Sequence, residues 1–162
     1  MQPGRLQVPW IVPMPSDRPG IHFTWKELTT TSTGLDNYPS TEHRNNLRML
    51  CYSLLDPLRV HIGRPLYITS GYRSEAVNAA VGGSVRSYHL KGLAADCKSK
   101  VLDCHALIRA VIDCDIDFDQ VIAYAPSRGG HIQIQMRLGR NRRQVLWAPK
   151  SGGYEDYNHD CS

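Results

Sequence analysis

Residues 70–98 read SGYRSEAVNAAVGGSVRSYHLKGLAADCK, and the rest of the chain is organised around them. The stretch gathers Arg73, Ser87, His89, Asp96 and four glycines into one supersecondary unit. His89 and Asp96 are both of the types that ligate a divalent metal, and they stand seven positions apart. In a continuous helix that spacing is roughly 10 Å of axial rise, and in a straight strand it is about twice that or more. Two ligands of one zinc ion, each about 2 Å from it, cannot be so far apart, so the chain must turn between them. Gly92 is the residue in that interval able to take the positive backbone dihedrals of a sharp reversal. Ala94 and Ala95 then let Asp96 arrive on a tightly packed strand. The pair is a half-site, because a catalytic zinc keeps three protein ligands and an open position.

The third ligand is sought where another His falls on a polar strand face. In GGHIQIQM, residues 129–136, strict alternation puts His131, Gln133 and Gln135 on one face and Ile132, Ile134 and Met136 on the other. The apolar face has a core to cover, so His131 is expected to face a polar cleft.

These residues resemble the zinc D-alanyl-D-alanine carboxypeptidases and related peptidoglycan peptidases, whose pattern S-x-H-x-x-G-x-A-x-D is met by Ser87, His89, Gly92, Ala94 and Asp96. The resemblance extends through Ser70-Gly71-Tyr72-Arg73-Ser74, Val77-Asn78, Val81-Gly82-Gly83, Phe118-Asp119-Gln120 and Arg140 to Leu146. It spans roughly residues 21–147. It implies an α+β single domain with a small mixed or antiparallel sheet, helices on one side and a zinc cleft across the sheet. It implies that His89, Asp96 and His131 bind Zn2+, that Arg73 stabilises charge on substrate or transition state, and that Ser87 and Gln120 contact substrate. The expected activity is hydrolysis of peptide bonds in peptidoglycan stem peptides, by a D-Ala-D-Ala carboxypeptidase or an endolysin-like endopeptidase. Small enzymes of this kind are common among bacteriophage proteins, which makes other virion proteins candidate partners.

One departure from the pattern bears on mechanism. Where such proteins carry a catalytic Glu four residues after the Gln, this chain has Tyr124, and where other branches carry an Asp three residues before the last His, it has Arg128. A zinc hydrolase uses a carboxylate to take a proton from water and return it to the leaving amine. A Tyr of ordinary pKa is a poor base at neutral pH, but its hydroxyl can donate to an oxyanion, so Tyr124 is assigned a catalytic place as a donor. Strand parity in FDQVIAYA groups Phe118, Gln120, Ile122 and Tyr124 on one face and turns Asp119 away, as a turn or hydrogen-bond anchor. Glu155 and Asp156 in the C-terminal tail are the remaining candidates for a base. The alternative function is a metal-containing wall-binding or virion structural module on the same fold.

A chain of 162 residues suits one domain with a real core. The expected organisation is a Pro-rich arm over residues 1–20, the domain over 21–147 and a polar tail over 148–162. The arm has no uninterrupted apolar segment, so neither a signal peptide nor a membrane span is expected, and the expected setting is the host cytoplasm before lysis or a virion. Trp10, Ile11 and Val12 are its apolar residues, expected to pack against its own domain, with docking on a partner as the alternative. A net charge of +4 favours approach to anionic wall polymers but selects no partner by itself. The basic stretch from Arg137 to Arg143 lacks the interleaved aromatics of a nucleic-acid site. Cys51, Cys97, Cys104, Cys114 and Cys161 contain no C-x-x-C pair, so reduced, mostly buried thiols are expected, with Cys97 facing away from the metal side.

The remaining elements follow from caps and periodicity. A helix starts at Thr41 with Ser40 as N-cap, and Leu47, Leu50, Leu54 and Leu58 mark its inner stripe. Pro57 either kinks it or begins a fresh turn capped by Asp56. Residues 65–69 read as a strand, Ser74 caps a short helix, residues 101–112 read as an amphipathic helix, and residues 118–124 and 131–136 as paired strands.

Overall fold

The computed structural model describes residues 17–158; Trp10, Ile11, Val12 and Cys161 lie outside the described residues. Six strands form one sheet: β1 (Tyr67–Ser70), β2 (Ala94–Lys98), β3 (Gln120–Tyr124), β4 (Ile132–Gln135), β5 (Gln144–Ala148) and β6 (Glu155–Asp156). Their order is β1-β2-β4-β3-β5-β6, antiparallel throughout except for the parallel pair β3–β5. With helices α1 (Trp25–Thr29), α2 (Thr41–Leu50), α3 (Asp56–Ile62), α4 (Glu75–Ala80) and α5 (Cys104–Asp113), this is the expected α+β domain with a mixed sheet.

Alternation along the strands separates the two faces of the sheet. Ala95, Cys97, Val121, Ala123, Ile132 and Ile134 are buried in one core with Leu47, Leu50, Leu54, Leu58, Leu107, Ile108 and Val111 of the helices. The opposite face presents Gln120, Ile122, Tyr124, Gln133 and Gln135 to a cleft of about 780 Å3. Cys51, Cys97 and Cys104 are buried free thiols and Cys114 is half-buried.

Local chemistry sets the helix ends. The hydroxyls of Ser40 and Ser74 accept from the backbone N–H groups of His43 and Val77, and Asp103 accepts from that of Ala106. The run between α2 and α3 is a π-helical turn, Cys51–Leu55, whose wider winding lets Leu54 and Leu55 both reach the core. Pro57 does not begin a separate helix: the backbone stays helical from α2 through this π turn into α3, and the proline follows directly on the wider turn. Asp56 does not cap that helix: its carboxylate accepts from the backbone N–H groups of Ile21 and His22, both at 2.9 Å, and anchors the first turn of the domain. The helix expected from Val101 starts only at Cys104, because Asp103 takes the cap and leaves Val101 exposed.

Strand parity holds from Gln120 to Tyr124 and fails just before. The N–H of Asp119 donates to the carbonyl of Gln135, and Gln120 is also in register with Gln135, so two residues oppose one in a β-bulge. Phe118 therefore enters the core instead of sharing the face of Gln120. Asp119, fully buried, accepts from Gln135 Nε2 at 2.9 Å and from Arg142 Nε and Nη2 at 2.9 and 2.8 Å, with Arg137 Nε at 3.0 Å. Two of the basic residues of 137–143 are thus held beneath the cleft rim by one carboxylate.

Burial pushes the Asp119 carboxyl up, but the hydrogen bonds from Arg142 and Gln135 outweigh it and hold the group below the ordinary carboxylate range. Its unfolded form therefore binds a proton at higher pH than its folded form. The resulting stability is present above the unfolded pKa and is lost as pH falls through the folded one. Urea unfolding between pH 2 and 5 is expected to show this acid loss, and Asp119→Asn is expected to be less stable at neutral pH with a flatter acid limb.

Candidate active site

The site begins with a close approach of two backbones. The Tyr72 N–H donates to the Leu28 carbonyl at 2.8 Å, and a Cβ on Gly71 would run into that carbonyl, so only Gly fits. This brings the Gly71 carbonyl to the imidazole of His89, whose Nδ1 lies 2.7 Å away. His89 sits on a 3-10 turn, Tyr88–Lys91, whose N-cap Ser87 accepts the His89 N–H at 3.3 Å. Gly92 follows with φ +68°, and a Cβ there would stand 2.7 Å from the His43 carbonyl of α2. The turn required between His89 and Asp96 is therefore made by Gly92, docked on a helix.

A carbonyl can only accept, so His89 Nδ1 carries the proton and donates to Gly71. That leaves Nε2 aimed at Asp96 Oδ1, 3.3 Å away. The separation is that of an ion pair without the alignment of a hydrogen bond, and both atoms are buried with no hydrogen-bond partner. The other carboxylate oxygen, Oδ2, accepts from Arg73 Nη2 at 2.8 Å, and Arg73 Nε donates to Ser70 Oγ at 2.8 Å. Burial raises the pKa of Asp96, but the polar and charged groups facing it, with Arg73 at 2.8 Å, outweigh it and hold the carboxyl below the ordinary carboxylate range. Cys97 is turned into the core, and burial pushes its thiol far up, which removes it from the ligand set.

His131 is half-buried on the same sheet face, two residues from Gln133, which is paired in register with Asp96. Burial lowers its pKa, so the imidazole is neutral and keeps a lone pair. Its ring stacks on Tyr124, with centroids 4.4 Å apart and planes 15° apart. Among the described residues, no three His, Cys, Asp or Glu side chains are gathered closely enough to hold an ion. The donor chemistry nevertheless fits one: His89 Nε2 and Asp96 Oδ1 face each other at 3.3 Å, both buried and without a hydrogen-bond partner, and the His131 imidazole stands on the same sheet face.

Ser87, Gln120, Tyr124 and Arg73 all line the cleft. Gln120 Nε2 donates to Gln144 Oε1 at 2.6 Å. Burial, followed by contact with Tyr154 and the Asp96 charge, pushes the Tyr124 phenol well above its ordinary pKa, so it is a donor and not a base. The cleft also contains residues that sequence reasoning did not assign: Tyr154, Gln133, Gln135, and the cations Arg86 and Lys91. Tyr154 had no local signal, because it reaches the cleft only through the pairing of β6 with β5. Glu155 and Asp156 are exposed on β6, and the tail brings Tyr154 rather than either carboxylate to the cleft wall.

The cleft on the polar face of the sheet is lined by Arg73, Ser87, Gln120 and Tyr124, and Arg73 joins its wall to the buried His89–Asp96 pair behind it. The peptidase M15 family model matches residues 21–125, and the chain belongs to the peptidase M15 family. Its members are generally zinc-dependent peptidases, D-alanyl-D-alanine carboxypeptidase-like, and membership supports action on peptidoglycan in general. The match includes Arg73, Ser87, His89, Asp96, Gln120 and Tyr124 and stops before His131. No curated protein matches the chain. Among the described residues no helix is long and apolar enough to cross a membrane.

The tautomer can be checked directly. In metal-free protein at mildly alkaline pH, long-range proton–nitrogen NMR is expected to find the His89 proton on Nδ1, and added zinc is expected to shift the Nε2 resonance. A proton on Nε2 would contradict the geometry.

Proposed function

We propose that this chain is a zinc-dependent peptidase that hydrolyses peptide bonds of peptidoglycan stem peptides, as a D-Ala-D-Ala carboxypeptidase or an endolysin-like endopeptidase. The observation that carries the reading is the facing pair His89 Nε2 and Asp96 Oδ1, buried and without hydrogen bonds, 3.3 Å apart. His89, Asp96 and His131 would hold the zinc. When bound, the ion supplies Lewis acidity toward the scissile carbonyl and lowers the pKa of water.

The chain's own residues do the rest. Gly71 fixes the His89 tautomer, and Arg73 fixes the Asp96 carboxylate by holding Oδ2. The guanidinium edge of Arg73 not engaged by Ser70 and Asp96 is available to a substrate carboxylate or a developing oxyanion. Tyr124, held protonated, donates to the same oxyanion. Ser87 and Gln120 contact the peptide from the cleft walls. A lysis enzyme of a bacteriophage or a virion-associated protein is the setting this activity suits.

A second reading, a metal-containing wall-binding or virion module, is favoured by one observation. Among the described residues lining the cleft there is no Asp or Glu to act as general base.

Mass spectrometry of defined stem peptides incubated with zinc-loaded protein separates the two. Hydrolysis predicts a zinc-dependent mass change that is absent with His131→Ala protein and names the bond cleaved. Intact peptides from folded, zinc-holding protein would leave the binding module. Arg73→Lys keeps the charge but not the fork that spans Ser70 and Asp96; it is expected to lower kcat/KM by about 10²-fold with the fold retained by circular dichroism.

A further inference from the structure

The two positions where an acid is missing, Tyr124 and Arg128, are in contact with each other and with the C-terminal segment. Arg128 Nη1 donates to the carbonyls of Gly153 and Pro149 at 3.0 and 3.3 Å. Its guanidinium lies 5.3 Å from the centroid of Tyr124 and 5.7 Å from that of Tyr154. The Tyr124 and Tyr154 rings meet edge to face at 6.4 Å. On its other side Tyr124 stacks on His131, and beyond His131 lies Gly129, with φ +112°, where a Cβ would stand 2.7 Å from the His131 Nδ1. The imidazole is seated between the Tyr124 ring and a glycine backbone, and the seat is closed from behind by residues 149–154.

We infer that this strap is a working part of the cleft: Arg128, tethered to its carbonyls, and Tyr154 hold Tyr124 against His131 and so set where the third ligand stands. Arg128 and Tyr154 are positioning residues. The departure from the family's acids replaces a possible base with a tether, and it couples the C-terminal segment to the metal centre. The inference rests on the reading of His131 as a zinc ligand and goes beyond it in assigning the residues that place it.

Three readouts on Arg128→Ala, Tyr154→Ala and Tyr154→Phe test it, each variant first shown to be folded by circular dichroism and thermal melting. In metal-free protein, the His131 ring protons are expected to lose the ring-current shift of the Tyr124 stack in both Ala variants. Zinc affinity, measured by competition with a chromogenic chelator, is expected to fall about 10- to 100-fold in them, and kcat to fall more than KM rises. Tyr154→Phe loses the hydroxyl that faces Tyr124 but keeps the edge-to-face contact, and is expected to retain the His131 ring-current shift and the zinc affinity. Tyr154 is 57% exposed, so its Ala variant remains informative if Arg128→Ala does not fold. Unchanged ring shifts and zinc affinity in folded Ala variants of a zinc-binding wild type would overturn the inference alone. A wild type that takes up no zinc would overturn the metal reading and this inference with it.

Discussion

The carboxylate of Asp96 is shared between a guanidinium and an imidazole, and most of the local architecture serves that sharing. One oxygen is held by Arg73 at 2.8 Å; the other faces an imidazole nitrogen 3.3 Å away and makes no hydrogen bond with it. Two acceptors in contact in a buried place raise the energy of the site unless a cation or a proton joins them. The fold sustains the arrangement because every neighbouring group is fixed. Gly71 is pressed on Leu28, the turn at Gly92 is pressed on α2, and β2 lies between β1 and β4 in the sheet. A site held on strands and docked turns keeps its geometry better than one on a free loop.

Electrostatics divides the cleft into two regions. Near Asp96 the charges of Arg73 and the carboxylate offset each other. At the far rim Asp119 sits under Arg137 and Arg142, one carboxylate beneath two guanidiniums. With Arg86 and Lys91 on the opposite wall, the lining carries cations and, among the described residues, no exposed acid. Such a surface favours the approach of anionic groups. Within the basic stretch 137–143, Arg137 and Arg142 are the two that meet the Asp119 carboxylate.

The absence of a carboxylate at positions 124 and 128 has a structural counterpart. An acid at either place would face the Tyr154 ring and the strap; the present pair instead builds an aromatic and cationic stack whose inner member is His131. Tyr124, kept protonated by burial and by Tyr154, presents a hydrogen-bond donor there.

Much of this was legible in residues 70–98 and 129–136 because the constraints there are local. A seven-residue spacing forces a turn, a lone Gly makes it, and a strict two-residue alternation decides which side His131 takes. Ser40 and Ser74 announced their helices for the same reason: a cap is a contact between near neighbours. Tertiary structure decided what depends on partners far along the chain. Asp56 gave up a helix cap to hold Ile21 and His22, 35 and 34 positions away. Phe118 and Asp119 broke parity because a bulge is chosen by the pairing strand, not by the bulged residues. Tyr154 reached the cleft because β6 pairs with β5, a register no local pattern encodes. The sequence by itself determined the turn that brings His89 to Asp96 and the sheet face that His131 takes; only packing decided what stands behind His131.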